Sequence, residues 1–547
     1  MKNSKLYILT VGLCTLIMTS CFEDEGNYKY DESIQDISVK ITPNYSIRKK
    51  EGKMSVSINP EVKTVDGDKS YLEYLWEART SPTLLESDTI GREESVTFEF
   101  DSNDKNFSYD YYLRLYVTDT RTGAVTMTPT HIEVIKPYSF SWLVLHEKDN
   151  HAEIGAIEYG SNSSIVTPDA FTQDAGKSLE GKPLRLCIGK QNAYWAEYML
   201  SSVLYIFTDK IEESGPYNHT DHFKLLESWN KLVNPSQAAH IDFTNITSAD
   251  NCNNTGLLLC SKGNVFHNGQ YSPFFFEMNR SPIMTGECYI EEMGVGPHTA
   301  VAYDSKGHRF VHLNFQNYSM WMGFAPQGIQ NAGPINAIAN VNGSIADPSN
   351  ISKEIENVKF VNGFHYDQKF PAPWQKYQCY AYGIGNNNKS YVYVIPYYNL
   401  SNAGNPVITQ YYEFSTPNGI TKDTPMTSGA KYNNILFYAA GSKIYKLDVS
   451  TGKPTMIYQH DDSSAQITDL RMAVEGYAWS DSKDEKGEST YGHPYCRLLG
   501  AAVNKPDGQG EVVVLQLNMA GKVDSDKKHP SVQVHKGFGK IKQIGFI

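Results

Sequence analysis

Residues 378–395 read QCYAYGIGNNNKSYVYVI: an apolar run, a turn of Gly, Asn and Lys, and a second apolar run. Two short runs rich in Tyr, Val and Ile on either side of such a turn describe an antiparallel hairpin. The arrangement recurs, starting at Trp142 (WLVLHEKDNHAEIGAIE), Val203 (VLYIFTD, with a weak second half), Leu257 (LLLCSKGNVF), Thr299 (TAVAYDSKGHRFVHL), Ile435 (ILFYAAGSKIYKLD) and Arg497 (RLLGAAVNKPDGQGEVVVLQL). With Gln378 these are seven starts about 59 residues apart, longer than the roughly 40–45 residues of a compact four-stranded propeller blade. A degenerate seven-bladed β-propeller with long loops fits, because radially packed sheets absorb insertions and leave only short edges. Two stacked β-sandwiches and a six- or eight-bladed ring are the alternatives, since no WD or kelch signature is present.

Upstream of Trp142 the pattern changes. ISVKI (37–41), MSVSI (54–58), SVTFEF (95–100) and YLRLYV (112–117) alternate with period two, the mark of antiparallel strands with one wet face. About 100 residues so patterned predict a small immunoglobulin-like sandwich, with Trp76 in the core between its sheets. The chain has 547 residues, 49 basic and 61 acidic side chains, and a net charge of −12. That balance argues against a nucleic-acid binder, whose affinity rests on clustered Lys and Arg. Its 37 Tyr, 23 Phe and 7 Trp favour half-buried pleated surfaces, so an all-β protein is expected. Helix is expected to be scarce, with 223–233 the main candidate.

The first 20 residues read as a signal peptide: Lys2 and Lys5 precede an apolar stretch from Leu6 to Met18, too short to span a bilayer. Met18-Thr19-Ser20-Cys21 resembles a bacterial lipobox, with Met18 in place of the preferred Leu, which makes Cys21 the expected lipid-attachment site. Glu23, Asp24 and Glu25 follow at once, similar to the signal that sends some lipoproteins to the outer face of the outer membrane. The expected organisation is signal peptide 1–20, acidic tether 21–34, sandwich 35–136 and propeller 137–547. Beyond Cys14 and Cys21 six cysteines remain, without metal spacing; Cys252 and Cys260 could close a small loop, but buried thiols are the better expectation.

Tyr112 to Gly123 (YLRLYVTDTRTG), followed by Thr130-His131-Ile132-Glu133-Val134 and then by Phe140-Ser141-Trp142-Leu143, is similar to the last strands of PKD-type domains. With the lipobox, the chain resembles the PKD-like family of surface lipoproteins. That resemblance implies a non-enzymatic outer-membrane protein associated with TonB-dependent, Sus-type nutrient uptake, anchored through its lipid and able to contact a transporter complex. It does not name the ligand, for which a glycan or a peptide is expected.

Local catalytic motifs fail one by one. His146 and His151 are one residue too far apart for a zinc HExxH helix. Ala175-Gly176-Lys177-Ser178 ends like a P-loop, but Phe171 stands where the first glycine must be. Gly383-Ile384-Gly385 belongs to a hairpin turn, and Asp101 to Asn106 lacks the central glycine of a calcium loop. His219, Asp221 and His222 read as an exposed loop, and His308 with His312 are too far apart on a strand to share a metal. No cofactor or metal is expected. One positive signal remains: an insertion from Tyr318 to Lys376 carries Trp321, Phe324, Phe364, Tyr366, Phe370 and Trp374. Such rings bind sugars or extended peptides, or pin a loop to its scaffold; Trp321, Phe324, Tyr366 and Trp374 are the candidate ligand contacts. The leading expectation is a non-catalytic binding subunit. A propeller lyase or hydrolase, or a purely structural partner, is the alternative, and a central funnel lined by several Asp, Glu, His or Arg side chains would favour the enzyme.

Overall fold

The computed structural model describes residues 37–547 apart from 84–85, 136, 139–140, 160–163, 190–201, 234, 253–255, 270–271, 279–285, 297–299, 314–334, 338–345, 365–376, 398–407, 430–431, 474–496, 519 and 525–529. The chain divides after Ile135 into two units.

The first unit is a β-sandwich. Asn44–Arg48, Val125–Ile135, Asp110–Asp119, Leu72–Arg79 and Asp88–Gly91 form one sheet in that order; the first pair is parallel and the others antiparallel. Lys53–Ile58 pairs with Val96–Asp101, and Ser38–Lys40 with Glu61–Lys63. Along Asp110–Asp119 buried and half-buried residues alternate strictly, as a strand covered on one face requires. Leu113, Leu115 and Val117 from that face pack with Ile58, Val62, Ile132 and the fully buried Trp76. The indole N–H of Trp76 donates to the Glu93 carbonyl at 3.1 Å, so the ring's one polar atom is satisfied.

The second unit is a seven-bladed β-propeller, each blade a four-stranded antiparallel sheet. From the inside outward, blade 1 is Pro183–Gly189, Val203–Thr208, Gly215–Asn218 and Lys224–Leu225; blade 2 is Ile246–Cys252, Gly256–Ser261, Asn264–Gly269 and Ser272–Glu277. Blade 3 is Ile290–Val295, Ala300–Asp304, Arg309–Leu313 and Ile335–Ala337; blade 4 is Ile355–Phe364, Tyr377–Gly385, Lys389–Pro396 and Gln410–Ser415. Blade 5 is Met426–Thr427, Ile435–Ala440, Lys443–Asp448 and Lys453–Gln459; blade 6 is Gln466–Met472, Leu498–Asn504, Gly510–Gln516 and Val532–Phe538. Blade 7 joins both ends of the unit: the last strand, Lys540–Phe546, is innermost and pairs with Ser141–Lys148, followed by His151–Tyr159 and Ser164–Thr167. The seven inner strands touch one another in cyclic order, blade 7 meeting both blade 6 and blade 1, so the ring is closed.

All seven hairpins read from the sequence are the second and third strands of a blade. Val203–Thr208, Leu498–Asn504 and Gly510–Gln516 are buried along their whole length, because neighbouring blades cover both faces. The outermost strand of blade 5 is mostly exposed. Where blades meet, close packing is demanding: a Cβ on Gly500 would lie 2.6 Å from the ring of Trp142, itself packed edge-on against Phe546.

Three expectations need correction. The stretch 223–233 is helical only over Trp229–Leu232, because His222 and Phe223 adopt positive φ, which a right-handed helix excludes. The longer helix is Ala170–Ala175, capped by Gly176 in the left-handed conformation, so the glycine of the P-loop-like stretch is a helix stop. The supposed insertion from Tyr318 to Lys376 contains the outer strand of blade 3 and the inner strand of blade 4. The hairpin turns behave as read: Asp149 and Asn150 take positive φ between Lys148 and its partner His151, and Asn388 does so between two strands of blade 4.

Candidate functional site

Six of the seven inner strands carry the same irregularity near their first residue. The register skips one residue between Pro183 and Arg185, Ile246 and Ser248, Ile290 and Glu292, Ile355 and Asn357, Ile467 and Asp469, and Ile541 and Gln543. Each skip is a β-bulge, which adds local twist and re-aims the side chain that follows. Before the bulge stands an apolar residue or proline; after it, in all six, a polar one. Blade 5, whose inner strand is only Met426–Thr427, lacks the device.

The polar residues after the bulges tie blade to blade. Arg185 donates from Nη2 to the carbonyls of Ile246 and Thr247, each at 3.1 Å, linking blades 1 and 2. The Ser248 hydroxyl donates to Glu292 Oε1 at 3.2 Å, linking blades 2 and 3. Asp469 Oδ2 accepts the Ile544 N–H at 2.9 Å, linking blades 6 and 7. Gln543 Oε1 accepts the Leu186 N–H at 3.0 Å, linking blade 7 to blade 1.

The same strands carry charges that reach further than the next blade. Burial raises the Glu292 carboxyl to about 7, against the opposing pull of Arg185 and Lys359, the Ser248 hydrogen bond and Arg471. Lys359 belongs to the adjacent blade 4, but Arg185 and Arg471 belong to blades 1 and 6, neither of which neighbours blade 3. In the closed ring the seven inner strands surround the central channel. Blades 2 and 4 also meet across it, the Asn362 amide donating to Asp250 Oδ2 at 3.3 Å. Arg185, Asp250, Glu292, Lys359, Asp469 and Arg471 are all half-buried, as channel walls reached by water should be. Asp469 lies 3.4 Å from Arg471 and also accepts the Leu470 N–H at 3.0 Å. Burial lowers the Lys359 ammonium, opposed chiefly by Glu292. Among the described residues, Lys359 makes no hydrogen bond and no ion pair, and Glu292 accepts only from Ser248.

The sequence reading did not find these residues, because, apart from the neighbouring Asp469 and Arg471, the charges lie 42 to 110 positions apart and form no local motif; the bulged Ile-x-polar entry, repeated at 246, 290, 355, 467 and 541, was the available signal. Cys21, Glu23, Asp24 and Glu25 lie outside the described residues, as do Trp321, Phe324, Tyr366, Phe370 and Trp374. The surroundings of the expected exposed loop at His219, Asp221 and His222 are well packed: Tyr217 and Trp229 are fully buried, and Trp229 stacks on Phe207 and Phe243 at 4.7 and 4.6 Å. His219 is buried, with a pKa lowered by burial to about 4, while His222 is exposed and sits 3.2 Å from Asp174. His146 is a core residue, its Nε2 bonded to the Pro168 carbonyl at 2.8 Å and its Nδ1 accepting the Gly539 N–H at 3.0 Å. Cys187, Cys260, Cys288 and Cys379 are buried free thiols. Among the described residues no group of three or more His, Cys, Asp or Glu could hold a metal, and no helix is long and apolar enough to cross a membrane. A cleft of about 330 Å³ in the sandwich is lined by Arg79, Tyr112, Arg114 and His131 among others, with Arg79 3.4 Å from Glu77 and His131 2.9 Å from Asp110.

Residues 21–183 match the model of the PKD-like family. This segment of the chain is PKD-like. The match spans the sandwich and continues through the three outer strands of blade 7 and the helix Ala170–Ala175. Among solved structures, the chain is similar to a quinonprotein alcohol dehydrogenase-like protein from Bacteroides thetaiotaomicron, at 12% identity over 92% of this chain and 96% of that one, with a TM-score of 0.41. It is also similar to apo AztD from Citrobacter koseri (9% identity, 87% and 98% of the two chains, TM-score 0.33) and to an ancestral GH74 enzyme (9%, 90% and 67%, TM-score 0.37). No curated protein matches the sequence.

Proposed function

We propose that this chain is a lipid-anchored surface protein of the bacterial outer membrane that binds a glycan or peptide for a TonB-dependent uptake system and catalyses nothing. The N-terminal register of basic residues, apolar stretch, Ser20 and Cys21 supports the anchor, and the PKD-like segment supports the surface setting. The observation that carries the non-catalytic reading is how the channel carboxylates are used. Asp469 accepts two backbone N–H groups and faces Arg471, and Asp250 takes the amide of Asn362. Carboxylates held in such bonds build walls and recognition surfaces. A hydrolase of the paired-carboxylate kind needs one free acid and one free base flanking the bond to be cut.

The funnel of mixed charge gives the enzymatic reading a definite form as well. Glu292, raised to about 7, is the group suited to acid–base chemistry at neutral pH. The two readings part in one experiment. The full chain in detergent is offered polysaccharides and peptides, with binding and product release followed together. Binding without turnover is expected, and Trp321→Ala and Trp374→Ala should each weaken it by about 1–3 kcal/mol, as aromatic hot spots do. Turnover abolished by Glu292→Gln would establish the enzyme instead.

A further inference from the structure

We propose that the cleft of the sandwich seats the C-terminal carboxylate of a peptide whose last side chain is apolar, with Arg114 as its charged partner. The site lies within the first unit and does not depend on the ligand contacts expected in the propeller.

Strand alternation builds the cleft. Along Asp110–Asp119, Leu113 and Leu115 pack in the core, so Tyr112 and Arg114 point away from it. Tyr112 stands opposite Arg79 on one neighbouring strand and opposite His131 on the other, and these four residues line one cavity of about 330 Å³. That is the small end of the roughly 300–1,000 Å³ typical of ligand pockets. Pro43, Pro82 and Pro129 supply much of the remaining wall.

Arg114 carries the argument. A guanidinium has five N–H donors, no acceptor, and a charge it cannot shed. Its cross-strand neighbours are Glu77 and Pro129. Glu77 is engaged with Arg79, Oε2 lying 3.4 Å from Nη2, and the Pro129 side chain has no acceptor. Arg114 is half-buried, yet among the described residues it makes no hydrogen bond and no ion pair. His131 is already placed: its Nε2 lies 2.9 Å from Asp110 Oδ1, and its ring stacks on Tyr112 at 4.7 Å. Glu77 and Asp110 therefore stand beside the cleft without lining it. They balance Arg79 and Arg114 in charge, so a ligand is drawn by an unpaired donor fork and not by a surplus of charge.

The kind of ligand follows from what the lining offers. It presents guanidinium N–H groups and the Tyr112 hydroxyl, and among the described residues it holds no Asp, Glu, Asn or Gln. The Thr130 hydroxyl is committed, donating to the Thr42 carbonyl at 2.7 Å. A sugar's hydroxyls would find few acceptors here, and unpaired donors are costly. A carboxylate accepts from the guanidinium fork twice over, in charge-assisted bonds about twice as strong as neutral ones. The backbone groups of the three lining strands are spent on their own ladders. A peptide passing through with a side-chain carboxylate would thus bury amides without partners, whereas a chain end buries fewer. The proline walls and the Tyr112 ring suit an apolar last side chain.

The test is calorimetric titration of the full chain in detergent with acetyl-Ala-Ala-Leu, its C-terminal amide, the amide of acetyl-Ala-Asp-Ala, and galacturonate. Binding of the free acid with the other three silent is the expected result. Arg114→Gln should weaken it at least about 10-fold, the loss of one or more charge-assisted hydrogen bonds, while melting as wild type does. Arg114→Lys, which keeps the charge without the fork, should fall between the two. Arg92→Gln, at an exposed arginine of the same unit outside the lining, should bind as wild type. Silence of the free acid, binding of either amide or of galacturonate as tight as that of the acid, or unchanged affinity in Arg114→Gln would overturn the seat. So would an equal loss in Arg92→Gln, or a melting temperature for Arg114→Gln well below wild type, which would show that the guanidinium already has a partner in the fold.

Discussion

Glu292 is the residue at which pH should act most visibly on stability. Its carboxyl is raised from 4.5 to about 7 in the folded protein, chiefly because the channel wall shields it from water. A folded pKa above the unfolded one means that the native state keeps a proton the unfolded chain has released. The stabilisation is complete below pH 4.5 and fades as pH rises through 7. Glu292→Gln, which cannot ionise, should match wild type at pH 4 and exceed it at pH 8 by up to about 3 kcal/mol, at roughly 1.4 kcal/mol per unit. The buried histidines act in the opposite window. Burial lowers His146, His219 and His312 to about 4, so their contribution is complete above pH 6.5 and is lost as pH falls through 4. Denaturant melts of both proteins at pH 4, 6 and 8 separate the two effects, because the histidines cancel in the difference. A difference that stays flat from pH 4 to 8 would show that Glu292 does not titrate in this range.

At the scale of the strand, what could be read from the sequence follows from which faces are covered. The second and third strands of each blade are clothed on both sides and present near-continuous apolar runs, so LLLC at 257–260 and EVVVLQL at 511–517 stood out. The inner strands did not. In IENVKFVNGF (355–364) the polar Asn357, Lys359 and Asn362 interrupt the apolar pattern, and the stretch passed for loop. The residues that line the channel are the ones that conceal the strand. Blade 7 makes a second point, because its inner strand comes from the far end of the unit and closes the ring. Phe546 on that strand packs edge-on against Trp142 at 5.1 Å, and both are buried. Phe546→Ala should therefore cost about 3–5 kcal/mol, a cavity at the closing seam. Val532→Ala, on the outermost strand of blade 6 where the side chain is 36% exposed, should cost under about 0.5 kcal/mol. Equal losses in the two variants, measured by denaturant melts, would mean that the seam is no more critical than the rim.

At the scale of the whole chain, the binding reading depends on where the molecule is held. Cys21 and the acidic run Glu23, Asp24 and Glu25 form a unit of five residues whose effect should not depend on the fold that follows. One acyl chain binds a membrane only marginally, and stable anchoring takes two or more, which a lipidated N-terminal cysteine provides. Fatty-acid labelling of cells should mark wild type and leave Cys21→Ala unlabelled, with that variant released from the membrane fraction. Replacing Glu23, Asp24 and Glu25 together by Ala should keep the label and the membrane association but shield the protein from protease added to intact cells. The purified variants should melt as wild type does. That separates a failure of targeting from a failure of folding. Equal labelling of wild type and Cys21→Ala would remove the anchor, and with it the surface site at which the protein is proposed to meet its ligand. Protease resistance of the wild-type protein on intact cells would place it on the periplasmic side, where a ligand must first cross the outer membrane.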